Sequence, residues 1–311
     1  MKILSHTPND NRGIALISAL IIVALVGITA GNIAWNNTLD LRRTMTHINH
    51  NQAIQVALGA ESWVATILKN DRLLSETDHL DEIWATNMPS IPVEGGMVSG
   101  YIEDLQGRFN INNLITENGK VNQSSLNQFQ RLLSVLGINQ NIALMTLDWL
   151  DYDQYTSFPE GAEDNVYINY NPPYLNGGQR IISTSELNAL HTMNKEIFYR
   201  LSPYITALPR QTAINVNTAN EIIMQSISEN ITPDDAKSLV IERMNGGFRD
   251  IENTFTSIIP SENINNISLS SNYFGLKLQV RIDNVNVILY SIFERRLNGD
   301  VTPILRTFGA I

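Results

Sequence analysis

Seventeen consecutive residues, DWLDYDQYTSFPEGAED, contain Asp148, Asp151, Asp153, Glu160, Glu163 and Asp164. Between Arg131 and Arg180 there is no lysine, arginine or histidine to neutralise them. Carboxylates this crowded repel one another, so folding them into a compact loop is unfavourable unless water or a cation offsets the charge. An all-oxygen donor set suits Ca²⁺, which takes about six to eight ligands in irregular geometry. The spacing is not that of an EF-hand. Counted from Asp151, the sixth loop position holds Thr156 where glycine is needed, and the twelfth holds Ala162 where glutamate is needed. From the residues alone the segment reads either as a calcium loop or as a solvated acidic loop, the ordinary fate of a charge run.

No other constellation carries chemistry. The sequence has no H-E-x-x-H, G-x-S-x-G, Walker A or dinucleotide fingerprint. His6, His47, His50, His79 and His191 are scattered without metal-ligand pairing. A hydrolytic acid pair could be drawn from the cluster only arbitrarily, so no catalytic residue is assigned. The absence of cysteine excludes disulfides and thiolate metal sites. Thirty-one acids against 21 bases, a formal net charge of −10, argue against a nucleic-acid partner, which needs clustered Lys and Arg.

The elements that must position the acidic segment begin with the N-terminus. Ile14 to Gly31 is an uncharged stretch, IALISALIIVALVGITAG, long enough to span a bilayer. It follows Arg12-Gly13 directly, and Lys2 and Arg12 on the leader side agree with a cytoplasmic leader. No proline occurs between Asn9 and Met88, and Leu41, Met45, Ile48, Gln52, Val56, Ala60, Trp63 and Ile67 continue at helical spacing. One helix is therefore predicted from Ile14 to about Leu68, with Gly27 and Gly31 as places where it could bend.

Past this helix, Pro89 to Gly96 reads as a breaker-rich segment and Met97 to Leu105 as a strand. Phe274 to Asp283, Val285 to Arg295 and Val301 to Phe308 read as three antiparallel strands, the first two joined by an Asp283-Asn284 turn. Between them lies a mainly helical block with a weak repeat. GRFNINNL (107–114) and TAINVNTA (212–219) share an N-x-N core, each ahead of a helical pair. Thr218 with Glu221 and Thr232 with Asp235 read as capping boxes, with Pro233 at a first helical position and Gly246-Gly247 as a stop. The fold class is α+β: residues 1–13 a leader, 14–35 a transmembrane segment, 36–108 with 272–311 an α+β domain, and 109–271 an α-helical insertion.

A leader ending in Arg-Gly, cut before a long apolar helix, resembles the class III signal of type IV pilins and pseudopilins, with the cut between Gly13 and Ile14. Those proteins usually carry a glutamate at the fifth residue after the cut. This chain has Ser18 there, which fits the K-type minor pseudopilins of type II secretion. The stretch DWLDYD…PEGAEDNVYINYNPPY closely resembles that family's acidic signature, and INVNTANEIIMQSISENITPDDAKSLVIERMNGGF its helix-hairpin-helix or SAM-like unit. In DNA-binding versions of that hairpin a glycine presents backbone N–H groups to phosphate. Here the hairpin is Glu229-Asn230-Ile231-Thr232, so it reads as structural.

The resemblance implies a pilin-like domain facing the periplasm, a single-pass inner-membrane anchor, and processing by prepilin peptidase. It also implies a place with I- and J-type minor pseudopilins at the tip of a short fibre, on an inner-membrane secretion platform, helping folded proteins leave the periplasm. It further implies structural calcium, for which Asp151, Asp153, Glu160, Glu163 and Asp164 are the expected donors, with Asn165, Asn169 and backbone carbonyls able to complete the shell. Two alternatives stand beside it: a minor pilin of a type IV pilus or DNA-uptake fibre, and a membrane-tethered calcium-dependent hydrolase.

Overall fold

The computed structural model describes residues 12–244 and 246–309. Residues 1–11 of the expected leader therefore lie outside the described residues. Helix α1 (Arg12–Leu74) is continuous and roughly 95 Å long at ~1.5 Å per residue, one turn and a half beyond the predicted end. Its apolar first half is exposed and is long and apolar enough to cross a membrane. Hydroxyl side chains in that half are absorbed by the helix itself. Ser18 Oγ donates to the Ile14 carbonyl at 2.9 Å and Thr29 Oγ1 to the Leu25 carbonyl at 3.0 Å, the arrangement that hides hydroxyls from lipid.

The second half of α1 packs on a sheet, but not by the predicted face. The buried residues are Ala53, Ala57, Glu61, Val64 and Leu68, while Trp63 is exposed and Val56, Ala60 and Ile67 lie at the margin. The two alanines bring the helix close to the strands. Glu61 interrupts the apolar pattern on the true face, which is why periodicity favours the neighbouring stripe.

After α1 come β1 (Met88–Val93) and β2 (Gly96–Asp104), then β3 (Phe109–Asn110), α2 (Gln123–Val135), α3 (Ile142–Leu150), α4 (Asp164–Tyr167) and α5 (Lys195–Leu201). Next are β4 (Ile205–Thr206), β5 (Ile214–Asn215), α6 (Glu221–Ile227), α7 (Pro233–Glu242), α8 (Ile251–Phe255) and β6 (Ile267–Ser268). Strands β7 (Tyr273–Ile282), β8 (Val285–Arg295) and β9 (Val301–Phe308) close the chain. The main sheet runs β1-β2-β7-β8-β9, each neighbour antiparallel, with Gly96 opposite Ile282 and Ile282 opposite Val285. Asp283 takes a left-handed φ of 49° in the tight β7–β8 turn, as such turns require. Strand β1 replaces the predicted breaker. Pro89 and Pro92 are tolerated because β1 lies at the sheet edge, where a missing N–H costs no ladder bond.

Two large hydrophobic cores result, beside a small cluster of Leu105, Leu208 and Tyr273. One joins α1 to the sheet through Ala57, Leu68, Trp84, Phe274, Leu278 and Leu289, and the other lies inside residues 109–267 around Phe109, Phe129, Leu147, Tyr167 and Ile223. The N-x-N repeat explains itself in the second core. Asn110 and Asn215 each accept the N–H two residues on, closing a turn. Asn112 then bonds the backbone of Ile181 through both its amide groups, and Asn217 does the same with Phe248. All four asparagines are buried. Each copy uses its side chains as a short strand to capture a later segment, then opens into a helical pair. Thr232 and Asp235 form the expected capping box with Pro233 at the first turn. Thr218 does not: α6 is capped by Asn220, and the Thr218 hydroxyl donates to Asp104 Oδ2 at 2.6 Å.

The cores are joined by buried charge. Arg295 Nη2 donates to both oxygens of Asp78 at 2.5 Å and to the Ser271 carbonyl at 2.8 Å, Nη1 reaches Asp71 at 3.0 Å, and the guanidinium lies 4.7 Å from the Phe274 ring centroid. Arg295→Ala leaves Asp78 buried and unpaired, and is expected to lower stability by about 3–5 kcal/mol. Urea unfolding of the chain without its apolar segment measures this, and an unchanged midpoint would refute the role.

Candidate metal centre

Asp148 and Asp151 stand three residues apart at the end of α3, where i,i+3 side chains meet on one face. The loop 152–162 returns so that Glu163, the residue before α4, arrives beside them. Carboxylate oxygens of Asp148, Asp151 and Glu163 lie within 4.8 Å of one another. Asp148 is fully buried and Glu163 nearly so. The loop is held to the group by its backbone: Ser157 N–H donates to Asp148 Oδ1 at 3.2 Å and Oδ2 at 3.0 Å. Gly161 is obligatory here, because a Cβ would fall 2.1 Å from Asp148 Oδ2 and 2.6 Å from the Ser157 backbone.

On the other side Asn176 binds three ways. Its Nδ2 donates to the Asp148 carbonyl at 3.3 Å and to Glu163 Oε2, and its N–H donates to Asp164 Oδ1 at 2.8 Å. Trp149, Tyr167 and Tyr174 pack edge-on and tilted at 5.2 to 6.4 Å, walling one flank. Asp151 Oδ1 and Glu163 Oε1 are buried and have no hydrogen-bond partner among the described residues.

Such a group resists ionising. Burial, then the charges of Asp153 and Asp148, push Asp151 up to about 7. Burial, then Asp148, Asp151, Asp153 and Asp164, push Glu163 up to about 8. Burial also raises Asp148 against the pull of its bonds from Ser157. A second convergence, Asp71 with Asp78 and Glu82, shows the contrast. There Arg295 supplies counter-charge to Asp71 and Asp78 from within the chain, although burial, Glu82 and Asp78 still push Asp71 up to about 7. At Asp148, Asp151 and Glu163 the orphaned oxygens and the oxygen-only donors fit a hard divalent cation.

Of the expected donors, Asp151 and Glu163 are in the group and Asp164 flanks it. Asp153 and Glu160 are exposed and lie outside it, and Asp153 Oδ1 accepts the Tyr155 N–H at 2.8 Å. Asn165 and Asn169 are exposed, the second bonding the carbonyl of the first at 2.7 Å. Asp148 was legible in the acidic signature and in its i,i+3 spacing to Asp151. Asn176, remote in sequence and uncharged, gave no signal.

Two family models described as "Type II secretion system (T2SS), protein K" match residues 107–210 and 214–276. The type II secretion system protein K of Pseudomonas aeruginosa is 31% identical over 96% of this chain and 93% of its own length. The chain belongs to the type II secretion system protein K family. It is a minor pseudopilin of that system. The protein K of Pectobacterium carotovorum is 32% identical, with 96% of each chain covered. A chain in the crystal structure of the GspK-GspI-GspJ complex from enterotoxigenic Escherichia coli has the same fold, with a TM-score of 0.77 at 22% identity, over 86% of this chain and 100% of that one. All three converging carboxylates and Asn176 lie in the first matched stretch of this K-family chain, and Asn215, Asn217 and Phe248 lie in the second.

The raised carboxyls set a pH dependence. Without a cation the folded protein holds protons on Asp151 and Glu163 up to about pH 7 and 8, where the unfolded chain has already released them. Folded protein binds more protons in that window, so its stability falls as pH rises from about 5 to 8. Chelator-treated protein should melt lower at pH 8.5 than at pH 5, and Glu163→Gln should flatten the slope. A stability that rises across this range would contradict the buried group.

Proposed function

We propose that this minor pseudopilin sits at the tip of the secretion pseudopilus, spans the inner membrane once through residues 14–35, and holds its bulk in the periplasm. There a pilin-like domain, 36–108 with 272–311, carries the insertion 109–271. The observation that carries the reading is Ser18, whose hydroxyl donates to the Ile14 carbonyl at 2.9 Å. In pilin-like packing an acid at this place offsets the free N-terminal amine of a neighbour, and an uncompensated charge in lipid is costly. Ser18 has neither the charge nor a free hydroxyl proton to offer. A subunit of this kind loses least where none stacks above it, and an insertion of this bulk crowds neighbours anywhere else. I- and J-type minor pseudopilins are the natural companions, since the similarly folded chain comes from a complex of that composition. Together they would assist passage of folded proteins through the outer membrane.

Prepilin peptidase, in this reading, cuts between Gly13 and Ile14, and the secretion platform in the inner membrane receives the mature chain. The helical pairs have a helix-hairpin-helix character used for packing: Asn112 and Asn217 spend their amides on the protein backbone. The role is assembly, with no catalytic residue assigned. Calcium is structural, held by Asp148, Asp151 and Glu163 with Asp164 beside them; bound, it supplies the positive charge the segment lacks.

Labelled and counted in assembled fibres, the chain should appear at one end in far fewer copies than a major subunit; labels spread along the shaft would sink the assignment. The mature N-terminus should be Ile14, and a mature protein still beginning at Met1 would exclude the cut. For the cation, melting should rise with calcium by an amount equivalent to about 2.7 kcal/mol at a hundredfold excess over Kd. Asp148→Asn should abolish that rise, and a response that survives it would remove Asp148 from the site.

A further inference from the structure

The loop that closes over the three carboxylates carries its aromatic side chains outward. Tyr152, Tyr155 and Phe158 are 93%, 85% and 92% exposed, although the backbone between them is pinned. Ser157 N–H is bonded to Asp148, Tyr155 N–H to Asp153, and Gly161 N–H to the Ser157 carbonyl at 2.7 Å. Three large rings displayed on a fixed loop form apolar surface that folding does not bury, and such surface marks an interaction site. Tyrosine and phenylalanine on a preorganised backbone give much contact area for little entropy loss, which is how dominant interface residues work.

The charge around the rings selects the occupant. Asp153 and Glu160, both exposed, alternate with them, and residues 132–179 contain six carboxylates and no base. A divalent cation in the buried group would compensate only part of this charge, and it would leave Asp153 and Glu160 free. Aromatic faces beside carboxylates suit arginine and lysine, whose heads meet the acids while their planes or stems lie on the rings.

We propose that the Tyr152–Glu160 loop is a docking surface for the basic face of a partner protein, read by aromatic stacking and charge together. The loop would thereby give the insertion a binding function besides its bulk. An anionic membrane is disfavoured by the same acids.

The test uses the full chain in detergent with two short amphipathic peptides, one of arginine and leucine and one of glutamate and leucine, and with phosphatidylglycerol vesicles. The arginine peptide should bind, and Tyr152→Ser, Tyr155→Ser and Phe158→Ser combined should weaken it at least tenfold. Asp153→Lys with Glu160→Lys should do the same; because Asp153 also bears on Asp151 and Glu163, Glu160→Lys alone should weaken the arginine peptide while leaving calcium-dependent melting unchanged, and loss of the calcium response in wild type would fail the calcium reading alone. In secreting cells, a photoreactive phenylalanine analogue at Tyr155 should cross-link a polypeptide through a lysine- or arginine-bearing face, and the double charge reversal should abolish the adduct. Equal binding of the glutamate peptide, binding of the vesicles in place of the arginine peptide, or a protein adduct at Tyr155 no stronger than at the exposed Tyr199 would each overturn the proposal.

Discussion

One buried guanidinium holds the molecule together. Arg295, at the end of β8, binds Asp78 in the segment after α1, Asp71 in the last turns of α1, and the Ser271 carbonyl just before β7. Ser271 passes the connection on: its N–H donates to Asp78 at 2.7 Å and its hydroxyl to Asp104 at 2.6 Å. Asp104, at the end of β2, also accepts from Asn215 at 2.9 Å and Thr218 at 2.6 Å, which begin the second repeat copy. Helix α1, the sheet and the insertion thus meet in a single, largely buried polar network. Burial pushes Asp104 up to about 6 even against these donors, so each bond in the set matters for keeping its neighbours satisfied.

The acidic group in the insertion is built on the opposite logic. Asp71 and Asp78 are paired with a cation that the chain encodes, Arg295, while Glu82 turns to His79 and Trp84. Asp148, Asp151 and Glu163 converge just as closely without one. That arrangement leaves the loop that carries Tyr152, Tyr155 and Phe158 closed over carboxyls that burial and mutual repulsion keep protonated to near-neutral pH, while the rest of the insertion is fixed by its apolar core and its asparagine bonds.

Elements whose pattern is local and apolar were legible in the sequence. The long helix, the strand ending at Asp104 and the three C-terminal strands all fall close to where periodicity puts them. The errors share a cause, which is polar chemistry fixed by distant partners. Glu61 breaks the stripe on α1 because its ligands, Ser291 and Arg306, come from strands 230 or more residues away. Thr218 resembles a cap but serves Asp104. Strand β1 was obscured by prolines whose cost vanishes only at an edge. In the acidic segment charge density located the converging carboxylates, but density cannot say which of the acids converge. Asp153 and Glu160 carry the same charge as Asp148 and face solvent, a difference set by the return path of the loop.

That return path also ties the insertion's chemistry to its placement. The insertion leaves the sheet after β2 and re-enters it at β7, and these two strands are hydrogen-bonded neighbours, so both ends of the inserted segment emerge side by side. Two adjacent exits could act as a hinge. They do not, because Gln106 donates to the Ala213 carbonyl at 3.0 Å and accepts from Asn272 N–H at 2.6 Å, while Asn215 bonds the Asp78 carbonyl at 3.0 Å. The exits are thereby tied to each other and to the end of α1. Helix α1 and the sheet therefore hold the insertion, with its acidic loop, at a defined position and orientation relative to themselves.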